Sequence, residues 1–393
     1  MSAVDEVTIA APPCPATTPP ATTPPGATPP PGTPVVLFCD AGTLLGAFLT
    51  WAAALRRRGF RVELLTPAGT SPRRLLLADR AVFHAVHTHD EGTTPTVPAA
   101  LLPNLVDIQA VETVRPVLPG PAPHLVPRVR AAADAAVLLD KPAMNALAAD
   151  TGWLVPRSWL PEELADAESQ DLPWPLVVKN RTGFGGDGMC LVHDAAELRG
   201  ALAAAAAPVL VQERVVGPVV KLGGVADRGE LVEWGCYRAM PAEGDPFGTP
   251  ADVLTVTQPG LEEPSRALVR RLGLSGPFNV DCIEDADGRV WFLELNSRAW
   301  GSWPCLDRAG LDQVGAFQRT LGIPAPAAVA REVRIGLRTR VPSSTSGLDE
   351  LWLFRRQLGL RWFAASVAHH DLTALARGGS GRRRHRAGTG TGR

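Results

Sequence analysis

The sequence is poor in lysine, in tyrosine and in long apolar runs. No apolar stretch reaches 18 residues, so the pattern offers no membrane-spanning helix. Met1 to Pro13 holds neither a basic nor an apolar leader segment, and no signal peptide is expected. The six cysteines (Cys14, Cys39, Cys190, Cys236, Cys282, Cys305) contain no CxxC pair. Their spacing fits reduced cytoplasmic thiols rather than a zinc site or a disulfide framework. The formal net charge of -1 gives no overall basic field that would argue for nucleic acid. Only the tail is one-sided, with six Arg and no acid from Arg377 onward. No Ser or Cys nucleophile stands in a recognisable arrangement with a His base.

Lysine is the sharpest shortage: Lys141, Lys179 and Lys221 stand against 36 Arg. Where arginine is the default cation, a retained lysine marks a place for a compact ammonium.

A chain of 393 residues suits two or three packed subdomains. Residues 1–33, with ten Pro, seven Thr and six Ala, cannot bury a core and form a Pro/Thr/Ala-rich arm expected to be disordered. Val35–Cys39 predicts a buried strand, and Leu45, Phe48, Leu49 and Ala52 recur at helical spacing. Arg56–Arg58 and Gly59 end that helix, and Val62–Leu65 is the next strand. This β-α-β start predicts a parallel sheet. Its first turn, Asp40-Ala41-Gly42-Thr43, has one glycine and no dinucleotide fingerprint. A further strand is expected at Ala81–Val86, one helix over 126–149, a strand-like segment through Pro156 and a short helix near Glu162–Ala167. Strands follow at Leu176–Lys179, Met189–Val192 and Val209–Gln212, with a helix at Ala195–Ala206. Two hairpin strands lie around 219–237, a helix at Glu262–Leu272, and a hairpin at Phe278–Asn296. Beyond a strand near Val333–Leu337, the remainder to about 376 reads as mostly helical, and the Arg/Gly-rich end, 378–393, as disordered.

The hairpin carries the most chemistry. Asp287-Gly288 favours a two-residue type I′ turn. Centred there, the register sets Asp281 opposite Glu294 and Asn279 opposite Asn296, all on one face. Val280, Cys282, Trp291, Leu293 and Leu295 then form the apolar face. Directly opposed carboxylates lie roughly 5 Å apart and repel, so the pair calls for a cation. An all-oxygen set points to Mg²⁺ or Mn²⁺; a merely solvated polar face is the bland alternative. Upstream, Arg181 to Gly188 carries four glycines (Gly183, Gly185, Gly186, Gly188) that let backbone amides approach an anion. A strand leads in and a strand leads out, so this is a hairpin cap and not a loop that opens a helix. Lys179 ends the entering strand.

Taken together these motifs resemble the ATP-grasp superfamily, over roughly 130–325. The resemblance rests on Asp140-Lys141, on Pro175 to Lys179 with its glycine loop, and on Gln212-Glu213-Arg214-Val215-Val216-Gly217. Asn279-Val280-Asp281 followed by Glu294-Leu295-Asn296-Ser297-Arg298 completes it. Arg298 to Ser302 is further similar to uncharacterised ATP-grasp proteins of polysaccharide and secondary-metabolite gene neighbourhoods. The resemblance implies an α/β (α+β) fold with an N-terminal Rossmann-like domain at 34–125. It implies a small subdomain with the glycine loop at 126–207, a large subdomain with the metal site at 208–325, and a C-terminal extension at 326–377.

The implied activity is a carboxylate–amine ligase: ATP converts a carboxylate to an acyl phosphate, and an amine or other nucleophile displaces phosphate. Lys141 and Lys179 would contact ATP phosphates, with the loop glycines over them. Gln212, Glu213 and Val215 would hold adenine, and Lys221 would stand near the ribose corner, where the family often places an acid and this chain has Val219. Asp281, Glu294 and Asn296 would bind Mg²⁺ or Mn²⁺, Arg298 the transferring phosphate, and Gly301 and Ser302 the acyl substrate. Small-molecule acid and amine substrates and a cytoplasmic location follow, with no nucleic acid; a homodimer stays open. The alternatives are a phosphotransferase acting on another group and a non-catalytic ATP-binding regulator. Two other signals read as ordinary structure: the His84, His87, His89, Asp90 cluster fits no zinc spacing, and Trp300 and Trp303 read as core before pocket. The loop Pro241–Pro250 reads equally as a substrate lid or as plain surface.

Overall fold

A computed structural model of the chain describes residues 35–39, 46–67, 83–89, 102–103, 125–126, 128–164, 171–182, 189–240, 250, 252–323, 325 and 333–340. The N-terminal arm, the glycine loop 183–188, the loop 241–249 and the tail lie outside the described residues.

The first segment follows its sequence pattern. β1 (Val35–Cys39) pairs in parallel with β2 (Arg61–Pro67), and α1 (Gly46–Arg57) crosses between them. Gly59 adopts φ +85°, the left-handed stop after the helix. β3 (Ala85–His89) joins β2 in parallel, starting at Ala85 rather than Ala81. β4 (Leu102–Pro103) and β5 (Leu125–Val126) form a short parallel pair.

The single helix expected over 126–149 is two: α2 (Ala132–Leu139) and α3 (Lys141–Asp150). Pro142 explains the break. It has no N–H for the carbonyl of Leu138, and its ring would collide with that turn. Asp140 sits extended between the helices (φ −116°, ψ 109°), and its carboxylate accepts from the Ala143 N–H as the cap of α3.

The strand-like segment expected through Pro156 makes only the isolated bridge of Leu154 to Trp291, with β6 (Ser158–Trp159) following it, and the short helix becomes a 3₁₀ turn at Pro161–Leu164. β7 (Leu176–Asn180), β8 (Cys190–Val192), α4 (Ala195–Ala204) and β9 (Val209–Glu213) follow. The four strands form an antiparallel sheet in the order β6-β9-β7-β8. This sheet keeps β9, which a division at 207/208 assigns to the next subdomain.

The large sheet has the order β14-β13-β10-β11-β12-β15 and is antiparallel throughout. Its strands are β10 (Val219–Asp227), β11 (Glu230–Met240), β12 (Asp252–Val256), β13 (Gly276–Glu284), β14 (Val290–Asn296) and β15 (Arg338–Arg340). α5 (Glu262–Leu272) has the expected bounds, with Gly273 as its left-handed cap. α6 (Pro304–Arg308) and α7 (Gln313–Thr320) come next. The strand expected at 333–337 is displaced to 338–340, because Gly336 turns the chain there with φ +78°.

Three apolar cores result. One face of the large sheet packs on α3 and α5 through Met144, Leu268, Val280, Cys282, Phe292 and Leu295. Segment 128–156 therefore belongs with this sheet: Leu154 bridges to Trp291, and Arg128 to Ser275. On the opposite side, α1 meets α6 and α7, and Trp51 packs edge-to-face on Trp303 at 4.9 Å. The small sheet and α4 close the third core around Leu176, Val178, Leu198 and Val211.

Candidate active site

β13 and β14 bring four polar side chains to one face. Asn279 pairs with Asn296 and Asp281 with Glu294, as the hairpin register requires. The turn itself differs from the two-residue form. Asp285 pairs with Arg289 around a three-residue loop, with Gly288 at φ +78°. The Asp285 carboxylate accepts from the Trp291 indole (2.8 Å) and from Arg289, which holds it down at about 2. The shorter register places Cys282 opposite Phe292, and a bulge after Asp281 restores the alignment at Glu294. The two differences cancel at the functional end. They do not cancel in the core, where Phe292 is buried in place of Trp291 and Leu293. Leu293 is the extra residue. It turns into a recess shared with Leu138, Leu139, Lys141, Met144, Glu294 and Leu295.

Lys141 enters that recess as the first residue of α3, carried on the helix that is docked to the large sheet. Asp140 anchors the position through a two-pronged pair with Arg181 (Nη2 to Oδ2 3.1 Å), which keeps the carboxyl below its usual range. The Lys141 N–H donates to the Arg181 carbonyl at 3.2 Å, tying the helix start to the strand that leads into the glycine loop.

Lys179 is 6% exposed, and its ammonium donates to Gln212 Oε1 at 2.8 Å. Burial lowers its pKa to about 8; Glu294 opposes that shift and Lys141 adds to it. Gln212 also donates to Ser158 at 2.9 Å, so its side chain is a clamp on Lys179. Glu213 donates its N–H to the Arg157 carbonyl (2.8 Å), and its carboxylate accepts from the Arg157 guanidinium (3.1 Å). Val215 follows on the stretch that leaves the small sheet. That stretch crosses to β10 past the Glu284 carbonyl at Gly217, where a Cβ would come within 1.9 Å of the oxygen.

Burial raises Glu294, Asp281 raises it further, and Lys141, Lys179 and Arg298 pull it down. Lys221 stands opposite Asp281 and donates to its Oδ2 at 3.0 Å. It therefore faces the carboxylate pair. Arg298 donates to Asn296 Oδ1 at 3.0 Å and to the Ala299 carbonyl at 3.2 Å. Ser302 donates to the hydroxyl of Tyr237 at 3.0 Å, and among the described residues beyond its chain neighbours no atom lies within 4 Å of a Cβ built on Gly301. Trp300 and Trp303 are both buried, and the Trp300 ring lies over Gly223.

Asp281, Glu294, Asn296, Arg298, Lys141, Lys179 and Lys221 thus converge from both subdomains. Gly183, Gly185, Gly186 and Gly188 lie outside the described residues. Tyr237 and Asn279 bond each other at 2.7 Å inside the same cluster. Sequence reasoning missed Tyr237; its signal was that it is the one tyrosine of the chain. Two of the histidines are held by β2: His87 meets Glu63 at 2.7 Å, and His84 meets the Val62 backbone, while Asp90 lies outside the described residues. Among the described residues, no helix is long and apolar enough to cross a membrane.

A family model for the ATP-grasp domain matches residues 144–302. The arginine-specific large chain of carbamoyl phosphate synthase from Bacillus subtilis is 27% identical over 157 residues, 37% of this chain and 15% of its own length. The D-alanine–D-alanine ligase of Pseudomonas fluorescens is 28% identical over 138 residues, 32% of this chain and 43% of its own. The chain thus spans less than half of the length of either curated relative. Among solved structures, an L-amino acid ligase from Bacillus licheniformis superposes with TM-score 0.53 at 17% identity, covering 77% of this chain and 78% of that one. The N5-carboxyaminoimidazole synthetase of Staphylococcus aureus gives TM-score 0.57 at 12% identity, covering 75% and 78%. A biotin carboxylase domain from Hydrogenobacter thermophilus, solved with MgADP, gives TM-score 0.57 at 12% identity over 77% and 73%. The chain carries an ATP-grasp domain and has the ATP-grasp fold around it.

Proposed function

We propose that the protein is an ATP-dependent ligase that activates a small-molecule carboxylate as an acyl phosphate for attack by an amine. The observation that carries this reading is the opposed pair Asp281 and Glu294, ringed by Lys141, Lys179, Lys221 and Arg298. A pair of half-buried acids facing four cations suits a triphosphate and its metal better than it suits a neutral ligand. The ligase and carboxylase names of the relatives agree with it.

The residues fit a divalent cation. Ionising Glu294 beside Asp281 is disfavoured by burial, and the set offers only oxygen donors once Asn296 is included. Asp281, Glu294 and Asn296 would hold Mg²⁺, which would neutralise charge on the phosphate oxygens. Lys179, clamped by Gln212, presents a compact ammonium from the small sheet, and Lys141 presents another from α3. The apolar wall of Leu138, Leu139, Met144 and Leu293 suits the flat face of a purine, and backbone groups of Glu213 to Val215 would hold its edge. In the reaction, a carboxylate oxygen attacks the γ-phosphorus and ADP leaves. The amine then attacks the acyl carbon and phosphate leaves. Arg298, bonded to Asn296, would steady charge on the transferring group. Such an enzyme would work in the cytoplasm, where ATP is plentiful.

The test is phosphate release from ATP and Mg²⁺ across pooled acids and amines. Release only with one acid–amine pair is the expected result. Release independent of any amine would favour transfer to another group, and silence with intact ATP binding would remove the ligase reading.

A further inference from the structure

The single tyrosine of the chain is completely buried at the centre of the large sheet. On β11 it lies opposite Lys221, which lies opposite Asp281, which lies opposite Glu294. Four strands thus carry one row of functional side chains on one face. The tyrosine hydroxyl does not bond within that row. It reaches diagonally over β10 and donates to Asn279 Oδ1 at 2.7 Å. Gly223 stands opposite Asn279 and Gly235 opposite Gly223, so no β10 side chain intervenes, and the Trp300 ring packs over Gly223 instead.

The bonds run in one direction. Ser302 Oγ donates to the Tyr237 hydroxyl (3.0 Å), Tyr237 donates to Asn279 Oδ1, and Asn279 Nδ2 donates to Asp281 Oδ1. Each donor is polarised by the next acceptor, and the chain ends on a carboxylate, which strengthens every link. It also fixes the Asn279 amide. With its own proton committed toward Asn279, the phenol requires the amide oxygen on its side and turns the NH₂ toward Asp281. Ser302 sits at the outer end, beside the open space around Gly301.

We propose that Tyr237 is a positioning residue, linking the state of Ser302, through Asn279, to the way Asp281 holds its cation. The proposal rests on the metal role given to Asp281 above. A substrate that takes the Ser302 hydroxyl withdraws a donor from Tyr237 and changes the bond that Asp281 receives. Outer partners of this kind set ligand orientation and affinity.

The lone tyrosine makes the test direct, since ¹³Cζ-tyrosine labelling gives one resonance. Ser302→Ala should shift it, and so should Mg²⁺ with ADP in the wild-type chain. In calorimetric titrations of ADP at a series of Mg²⁺ concentrations, Tyr237→Phe and Ser302→Ala should each raise the Mg²⁺ needed by about tenfold. The double variant should be no worse than the worse single one, because both cut one relay. ADP affinity at saturating Mg²⁺ should stay within about threefold, a split that a merely structural residue would not give. A resonance unmoved by Ser302→Ala, a wild-type Mg²⁺ requirement in Tyr237→Phe, or fold-changes that multiply in the double variant would each overturn the proposal. If Tyr237→Phe fails to fold, the resonance and the Ser302→Ala titration decide. Failure of the wild-type chain to bind ADP at any Mg²⁺ concentration would overturn the nucleotide reading instead, and the shift with Ser302→Ala would still judge the Tyr237 contact.

Discussion

Lys179 offers a quantity that the structure sets in advance. Its ammonium is buried with one neutral acceptor, Gln212, and its pKa falls from 10.5 to about 8, chiefly through desolvation. The unfolded chain therefore holds this proton more tightly than the folded one. Stability contributed by Lys179 rises with pH across the window from about 8 to about 10.5, and the penalty is complete and constant below it. A shift of about 2.5 units corresponds to about 3 kcal/mol over the full window. Because the chain has only three lysines, ¹³C labelling at lysine Cε gives three resonances. One should titrate near 8 and vanish in Lys179→Met. In denaturant unfolding followed by tryptophan fluorescence, the wild-type chain should gain about 2 kcal/mol over the variant between pH 7.5 and 10. The slope carries the test, because the variant strands the Gln212 oxygen and loses about 1–3 kcal/mol at every pH. If a phosphate then approaches Lys179, the ammonium is restored. ADP binding at pH 8.5 should take up about 0.8 proton, against about 0.1 at pH 7, read by calorimetry in two buffers. No resonance titrating below about 9.5, or pH–stability curves that run parallel, would refute the reasoning.

Three further predictions follow from the same geometry. Burial raises Glu294 at a net cost to the ionised form, so Glu294→Gln should match or exceed the wild-type melting temperature at neutral pH. That gap should close as pH falls below the ordinary carboxylate range, and thermal stabilisation by Mg²⁺ with ADP should be lost; a variant that keeps the stabilisation would remove Glu294 from the site. Gly217→Ala should displace the crossing past Glu284 and weaken ADP binding by about tenfold or more, with the small-sheet fold retained by circular dichroism. Phe292→Ala should cost about 3–5 kcal/mol in denaturant unfolding and Trp291→Ala far less. Equal costs would restore the two-residue turn.

The local pattern in the sequence determined the face of the hairpin. Alternation puts Asp281, Glu294, Asn279 and Asn296 together whichever even slip the turn takes, because side chains repeat every two residues. The bounds of α5 were equally legible, since its apolar stripe ends at a glycine that only a left-handed cap requires. The bulge was not, because it balances a three-residue turn against one extra residue in β14, and both registers suit the functional end of the hairpin. The break at Pro142 was available in the sequence and was outweighed by a run of alanines and leucines. What only the tertiary structure decided is which distant residues share one field. Gln212 clamps Lys179 because β7 and β9 pair antiparallel, and Lys221 meets Asp281 because β10 lies between β11 and β13. Tyr237 reaches Asn279 because Gly223 puts no β10 side chain between them. Strand order, unlike strand face, leaves no periodic trace in a chain. It is chosen by the burial of three cores at once, and the charges of the site are neighbours as a consequence.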